Sequence, residues 1–245
     1  MHPARAVDAA LALAGTGATA TDISRALGIP RPTVRGWLAG ALPRSHRSRA
    51  CGRCGHEHNF GELPPEYAYL LGLYLGDGCV SAHARGVYRL RVVLDARYPG
   101  IIETTAGAMR RVRQGKVLVQ PRPENCVEVS AYWRAWPCLF PQHGPGKKHH
   151  REIRLTEWQL ALVNRAPEQL LRGLIQSDGC RFQSTGRNWS APRYSFTNYS
   201  SDIRGIFCSA CEKLGVRWTS AGRFTIYVSR KADVAILDSF IGPKR

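Results

Sequence analysis

The chain has 245 residues, enough for one sizeable buried core with a small appendage beside it. Thirty-five Lys and Arg against 18 Asp and Glu leave a formal charge of +17, the footprint of a protein that meets a polyanion, nucleic acid first among them. No window approaches the ~20 apolar residues of a membrane-spanning helix, and eight cysteines, several inside apolar runs, suit reduced thiols and a metal site in the cytoplasm better than a disulfide framework.

In chain order, the first apolar stretch is "AALALAGTGATA", residues 9–20. It mimics the core of an export signal, but Asp8 precedes it and a polar helical pattern follows, so it reads as a helix. Residues 21–40 carry Ile23, Ala26 and Leu27 at helical spacing, a Gly28-Ile29-Pro30 break, then Val34, Trp37 and Leu38. Two short helices with a tight turn resemble a helix-turn-helix, whose second helix would offer Arg31, Thr33 and Arg35 to DNA. Residues 41–50, "ALPRSHRSRA", are basic and aperiodic, as a linker or phosphate-tracking arm should be. In "CGRCGHEH" the Cys51 and Cys54 thiols have the spacing of two ligands to one structural zinc, with His56 and His58 or distant cysteines to complete it. The other such pair, Cys208 and Cys211, falls on an amphipathic helical pattern where small buried thiols are the commoner explanation.

From residue 66 the sequence passes twice through one order of elements: an apolar helix, two strands, a helix, two strands and a Gly-Pro-Lys cluster. Asp77-Gly78-Cys79 recurs as Asp178-Gly179-Cys180, 101 positions on, and Ile102 and Ile203 share that offset. A repeat this long predicts two similar subdomains that pack together, within one monomer. On their helices Gly72 and Gly76 stand four residues apart, as do Gly173 and Ser177, so each helix has a smooth side on which the other can approach closely.

Gly78 and Gly179 occupy the place of a left-handed helix-terminal glycine, which puts Asp77 and Asp178 in the last turn, where the macrodipole disfavours an acid. Two carboxylates brought together there must share a proton or bind a cation, and hard oxygen ligands beside nucleic acid point to Mg²⁺. Paired acids also occur in aspartic proteases, but the +17 charge speaks against that chemistry. In "VYRLRVVL" Tyr88, Leu90 and Val92 alternate with Arg89 and Arg91, and in "RYSFTN" Tyr194 and Phe196 alternate with Arg193, Ser195 and Thr197. Each strand thus has one apolar face and one face able to read base edges.

"LLGLYLGDG" and "LRGLIQSDG" resemble the two namesake motifs of the LAGLIDADG homing endonucleases in their single-chain form, over residues 66–245. The resemblance implies an α+β fold of two αββαββα subdomains, a pseudo-two-fold saddle over the major groove of double-stranded DNA, here preceded by a small all-α helix-turn-helix. The domains expected are 1–40, the helix-turn-helix; 41–65, the basic linker with the zinc knuckle; 66–165 and 166–245, the two subdomains. Carried over, Asp77 and Asp178, with the carbonyls of Gly76 and Ser177, are the implied ligands of two or three Mg²⁺ ions. Leu75 and Gln176 depart from the family's earlier acid, which is not the metal ligand there. Family sites also use a basic residue near the end of each sheet, for which Lys148 and Lys231 are the candidates, with Lys147 and Lys244 close behind. The implied activity is metal-dependent cleavage of DNA at a long asymmetric site in the bacterial nucleoid. The alternative is a DNA-binding regulator on a non-cleaving scaffold, which the helix-turn-helix motivates.

Overall fold

The computed structural model describes residues 4–41 and 51–244; the basic stretch 42–50, expected to be a linker, lies outside them. The chain forms two compact units, Met1–His58 and Asn59–Arg245. No helix among the described residues is long and apolar enough to cross a membrane.

The first unit contains three helices, α1 (Ala4–Gly15), α2 (Ala20–Leu27) and α3 (Arg31–Leu38). Thr19 and Asp22 start α2 with a reciprocal capping box, which satisfies donors the first turn would otherwise leave unpaired. Gly28 ends it in the left-handed conformation with φ 63°, and Pro32 opens α3, where its missing N–H costs nothing. Val7, Ala10, Ile23, Ile29, Val34 and Trp37 form the core. Ala26 and Leu38, expected on the apolar stripe, are exposed, because the turn itself sends Ile29 into the core.

The second unit follows one path twice. Its first pass is α4 (Glu66–Leu75), β1 (Cys79–Ala82), β2 (Tyr88–Asp95), α5 (Pro99–Val112), β3 (Leu118–Arg122), β4 (Cys126–Trp133) and α6 (Trp136–Leu139). After a connecting helix α7 (Glu157–Arg165), the second pass is α8 (Pro167–Asp178), β5 (Gly179–Gly186), β6 (Trp189–Thr197), α9 (Ser201–Lys213), β7 (Thr219–Ala221), β8 (Thr225–Val228) and α10 (Lys231–Asp238). Both four-stranded antiparallel sheets have the same order, β1-β2-β4-β3 and β5-β6-β8-β7. This is the expected α+β fold of two αββαββα subdomains behind an all-α unit. By the second helix the offset between the passes is 102 rather than 101, α5 starting at Pro99 and α9 at Ser201. Ile101, rather than Ile102, is therefore the buried counterpart of Ile203.

The two passes meet along α4 and α8. Every residue from Tyr67 to Leu75 is buried, as a helix apolar on all sides requires. A Cβ on Gly173 would come within 2.2 Å of the Tyr69 carbonyl oxygen, and one on Gly72 within 2.5 Å of the Leu170 carbonyl oxygen. The small residues thus let two backbones touch, and Ser177 closes the same seam against Gly76. A buried hydrogen bond from the Tyr69 hydroxyl to Gln176 Oε1, 2.6 Å, crosses the seam and fixes its register. Gly173→Val is expected to lower stability by about 3 kcal/mol or more, because backbone on the far side cannot yield. Gly205→Ala, at an exposed α9 site with no atom within 4 Å, should raise it by about 0.5–1 kcal/mol. Thermal unfolding of the two variants checks both signs.

Candidate active site and nucleic-acid interface

The ends of α4 and α8 carry the two acids. Helix α4 stops at Leu75, and Asp77 stands in the following turn, closed by a hydrogen bond from Gly78 N–H to the Leu73 carbonyl. Helix α8 runs through Asp178. Neither Gly78 nor Gly179 is left-handed, contrary to expectation; Gly179 is extended, with φ −117°. Both are glycines for want of room, since a Cβ would meet the Tyr74 Cα at 2.5 Å in one case and the Ser195 carbonyl oxygen at 2.8 Å in the other. The seam that binds the helices thereby turns both acids into one place.

Asp77 is exposed and Asp178 half-buried. Loss of water around each carboxyl raises its pKa, and for Asp178 the Asp77 charge adds to this, carrying it to about 6. Asn198 Nδ2 donates to Asp178 Oδ2 at 2.6 Å and holds it. The positive charges that oppose the shift are those of Lys148 and Lys244. Lys231, at the start of α10, is not among them, so the second lysine at the acids is Lys244, from the Gly242-Pro243-Lys244 cluster.

Lys148 is held tightly. Its ammonium donates to the carbonyls of Tyr74, Gly76 and Gly78 at 2.6, 2.6 and 2.7 Å, so it caps the exposed oxygens at the end of α4. Its surroundings lower its pKa to about 8, burial outweighing the two acids. Arg151, which sequence reasoning passed over, braces the loop that carries it. Its side chain donates to four of the five carbonyls from 142 to 146, those of Gln142, Gly144, Pro145 and Gly146, at 2.9 to 3.2 Å. A cleft of about 480 Å³ opens beside these groups, lined by Gly76, Gly78, Lys148, Asp178 and Asn198.

No protein-family model and no curated protein matches the sequence. Among solved structures, a variant of the homing endonuclease I-DmoI matches with a TM-score of 0.50 at 16% identity, over 76% of this chain and 97% of that one. The chain has the LAGLIDADG homing-endonuclease fold. Homing endonuclease I-WcaI bound to its DNA recognition sequence matches at 11% identity and TM-score 0.49, over 74% of this chain and 83% of that one. The N-terminal LAGLIDADG domain of DUF199/WhiA does so at 13% and 0.44, over 76% and 89%.

In this LAGLIDADG fold the two carboxylates, one just after α4 and one at the end of α8, are hard oxygen donors that suit a divalent cation. The Gly76 carbonyl, between α4 and Asp77, already takes the Lys148 ammonium on one lone pair. The sheets turn one face to the helices and leave the other open. On β2 Leu90 and Val92 are buried while Arg91 is exposed and Arg89 half-buried; on β6 Tyr194 and Phe196 are buried while Arg193, Ser195 and Thr197 lie on the opposite face. Lys147 is exposed beside Lys148. In the first unit Arg31 and Arg35 are exposed on α3, with Thr33 half-buried between them.

The first unit also forms the Cys51–His58 loop. Cys51 N–H bonds the His56 carbonyl, Gly55 N–H bonds the Cys51 carbonyl, and His56 N–H points at the Cys54 sulfur, 3.4 Å away. One donor atom each from Cys51, Cys54 and His58 comes within 4.8 Å of the others. The His56 side chain is not in that group. Cys208 and Cys211 are buried on α9, where burial pushes both thiols up.

The high pKa of Asp178 makes stability depend on pH. A carboxyl whose folded pKa exceeds its unfolded value binds more protons when folded, so it lowers stability above about pH 6, and the penalty fades as pH falls from there toward 4. Asp178→Asn should therefore raise the melting temperature of metal-free protein at pH 8, and the gain should shrink steadily toward pH 4.5.

Proposed function

We propose that the chain is a metal-dependent DNA endonuclease that makes a double-strand break at a long, asymmetric site. The observation that carries this reading is that Asp77 and Asp178, one from each repeat, lie near enough for their charges to interact, with the charges of Lys148 and Lys244 acting on both. The fold it shares with a homing endonuclease supports it. In this reading Asp77, Asp178 and the carbonyls of Gly76 and Ser177 hold Mg²⁺. Bound there, the ions would supply an activated water and neutralise the leaving oxygen of each strand. Lys148 and Lys244 offset the two acids and face the phosphate as its charge grows. Asn198 fixes the Asp178 carboxylate in one orientation. Arg89, Arg91, Arg193, Ser195 and Thr197 contact the DNA on the open faces, with Lys147 on the backbone. The partner is double-stranded DNA of the bacterial nucleoid, met in the cytoplasm by a monomer.

The helix-turn-helix favours a second reading, a regulator that binds DNA without cutting it, with Arg31, Thr33 and Arg35 in the groove. Incubation with a randomised DNA library and Mg²⁺, followed by sequencing of every new end, separates the two. The nuclease reading expects defined breaks with short 3′ overhangs, lost in an Asp77→Asn/Asp178→Asn variant. Enriched binding without breaks, equal in both proteins, would leave the regulator.

We also propose that the Cys51–His58 loop binds one structural Zn²⁺ through Cys51, Cys54 and His58, its N–H to sulfur bond stabilising thiolate charge. Elemental analysis is expected to find about one zinc per chain, absent after Cys51→Ser or Cys54→Ser and present after His56→Ala. Fully folded protein without zinc would reject the site.

A further inference from the structure

The two open sheet faces are not chemically equivalent. Cys79 pairs with Arg91 across β1 and β2, and Cys180 with Ser195 across β5 and β6, so Arg91 and Ser195 are counterparts. One register step on, Val93 faces Glu128 in the first sheet and Thr197 faces Thr225 in the second. The second sheet has a hydroxyl pair there, Thr197 and Thr225 with their oxygens 2.9 Å apart. The first sheet has an acid, only 3% exposed, in the middle strand of a basic face.

Glu128 is buried by guanidinium groups. Arg89, from β2, bonds its Oε1, and Arg122, from β3, bonds its Oε2 at 3.0 Å. Arg89 Nη2 also donates to Ser130 Oγ at 3.3 Å, and its guanidinium lies over the Tyr132 ring, 5.5 Å from the centroid. This orientation buries the Arg89 Nε–H with no acceptor in the protein, a cost the pull of the carboxylate must outweigh. Arg side chains lose much rotamer freedom when fixed, and here one carboxylate holds two of them. A guanidinium has five donors: Arg122 spends one on Glu128, while Arg89, with Nη2 on Glu128 and Ser130 and its Nε–H buried, keeps the two of Nη1 for a second partner.

An acid on a surface that meets phosphate weakens generic attraction; its use must be positional. We propose that Glu128 sets base specificity over one half of the DNA site by holding Arg89 and Arg122 as a fixed pair that reads guanine edges. The proposal rests on the DNA-recognition reading above. Guanine offers O6 and N7 in the major groove, which match an arginine fork and are its commonest specific contact. Glu128 is then a positioning residue that touches no base. The half-site under the second sheet meets Arg193, which has no carboxylate partner among the described residues and lies over the Trp189 ring, among hydroxyl and aromatic groups, so the site is asymmetric in chemistry as well as in sequence.

The test is selection of bound sequences from randomised duplex DNA with Ca²⁺ in place of Mg²⁺, for the wild type, Glu128→Gln, Arg122→Lys and Thr225→Val. The wild type is expected to enrich guanine at neighbouring base pairs of one half-site. Glu128→Gln should lower that preference about tenfold, the size of one bidentate contact, while the other half-site keeps its profile and generic affinity stays level or rises. Arg122→Lys, at a residue with 42% of its side chain exposed, keeps the charge and loses the fork. It should cost the same preference with an unchanged melting temperature, which keeps the test sound if Glu128→Gln folds poorly. Thr225→Val should alter only the opposite half-site. A wild-type guanine profile in both Glu128→Gln and Arg122→Lys would overturn the proposal. Equal loss over both half-sites in Arg122→Lys would do the same, as would a wild type that enriches sequence without guanine there. A wild type that enriches no sequence would instead remove the recognition reading itself, and this proposal with it.

Discussion

Backbone contact between α4 and α8, at Gly72 and Gly173, is the constraint on which the rest of the second unit depends. Helices usually pack 8–10 Å apart through side chains, whereas here carbonyl oxygens of one helix stand where the other's Cβ would be. Such closeness takes the helix ends along with it. It brings Asp77 and Asp178 near enough for their charges to interact and crowds Gly78 and Gly179 against neighbouring atoms. The loss of water that follows lifts the pKa of both acids. The chain thus gathers like charge at the end of its best-packed seam and answers it with Lys148, Lys244 and, in the proposed function, divalent cations.

Around this centre the repeat is kept in backbone and broken in chemistry. Strand order is the same in both sheets, yet one open face carries the Arg89–Glu128–Arg122 cluster and the other carries Arg193 over Trp189 among threonine, serine and aromatic groups. Lysines reach the acids from both Gly-Pro-Lys clusters, but Lys148 is clamped on three carbonyls while Lys244 acts on the acids through its charge. A single chain permits this divergence, because each half can change without changing the other. A pair of identical subunits would be confined to a symmetric target.

Features governed by local periodicity were legible in the sequence. The alternation in "VYRLRVVL" and "RYSFTN" put the right residues on the buried face, and the small residues four apart marked the seam. Thr156 and Gln159 mark the start of helix α7 with a capping box, a local signal the sequence does carry. Helix α10 has no side-chain cap and leaves no such mark. Contacts distant in sequence were harder to read. Nothing local shows that Arg151 braces the Lys148 loop, or that Lys244 rather than Lys231 reaches the acids, since both depend on where a loop returns in space. Gly78 and Gly179 are required by neighbouring backbone rather than by a left-handed conformation, and no single segment of the sequence contains that neighbour.

The central claim is that the two acids, one from each repeat, act as one cation site. Titration of DNA-free protein with Mn²⁺, followed by electron paramagnetic resonance, tests it directly. The account expects a bound signal in the wild type that is weakened in Asp77→Asn and in Asp178→Asn alike, each single change sufficing. Binding at the wild-type level in either single variant would contradict it, for the acids would then be neighbours without a shared ion.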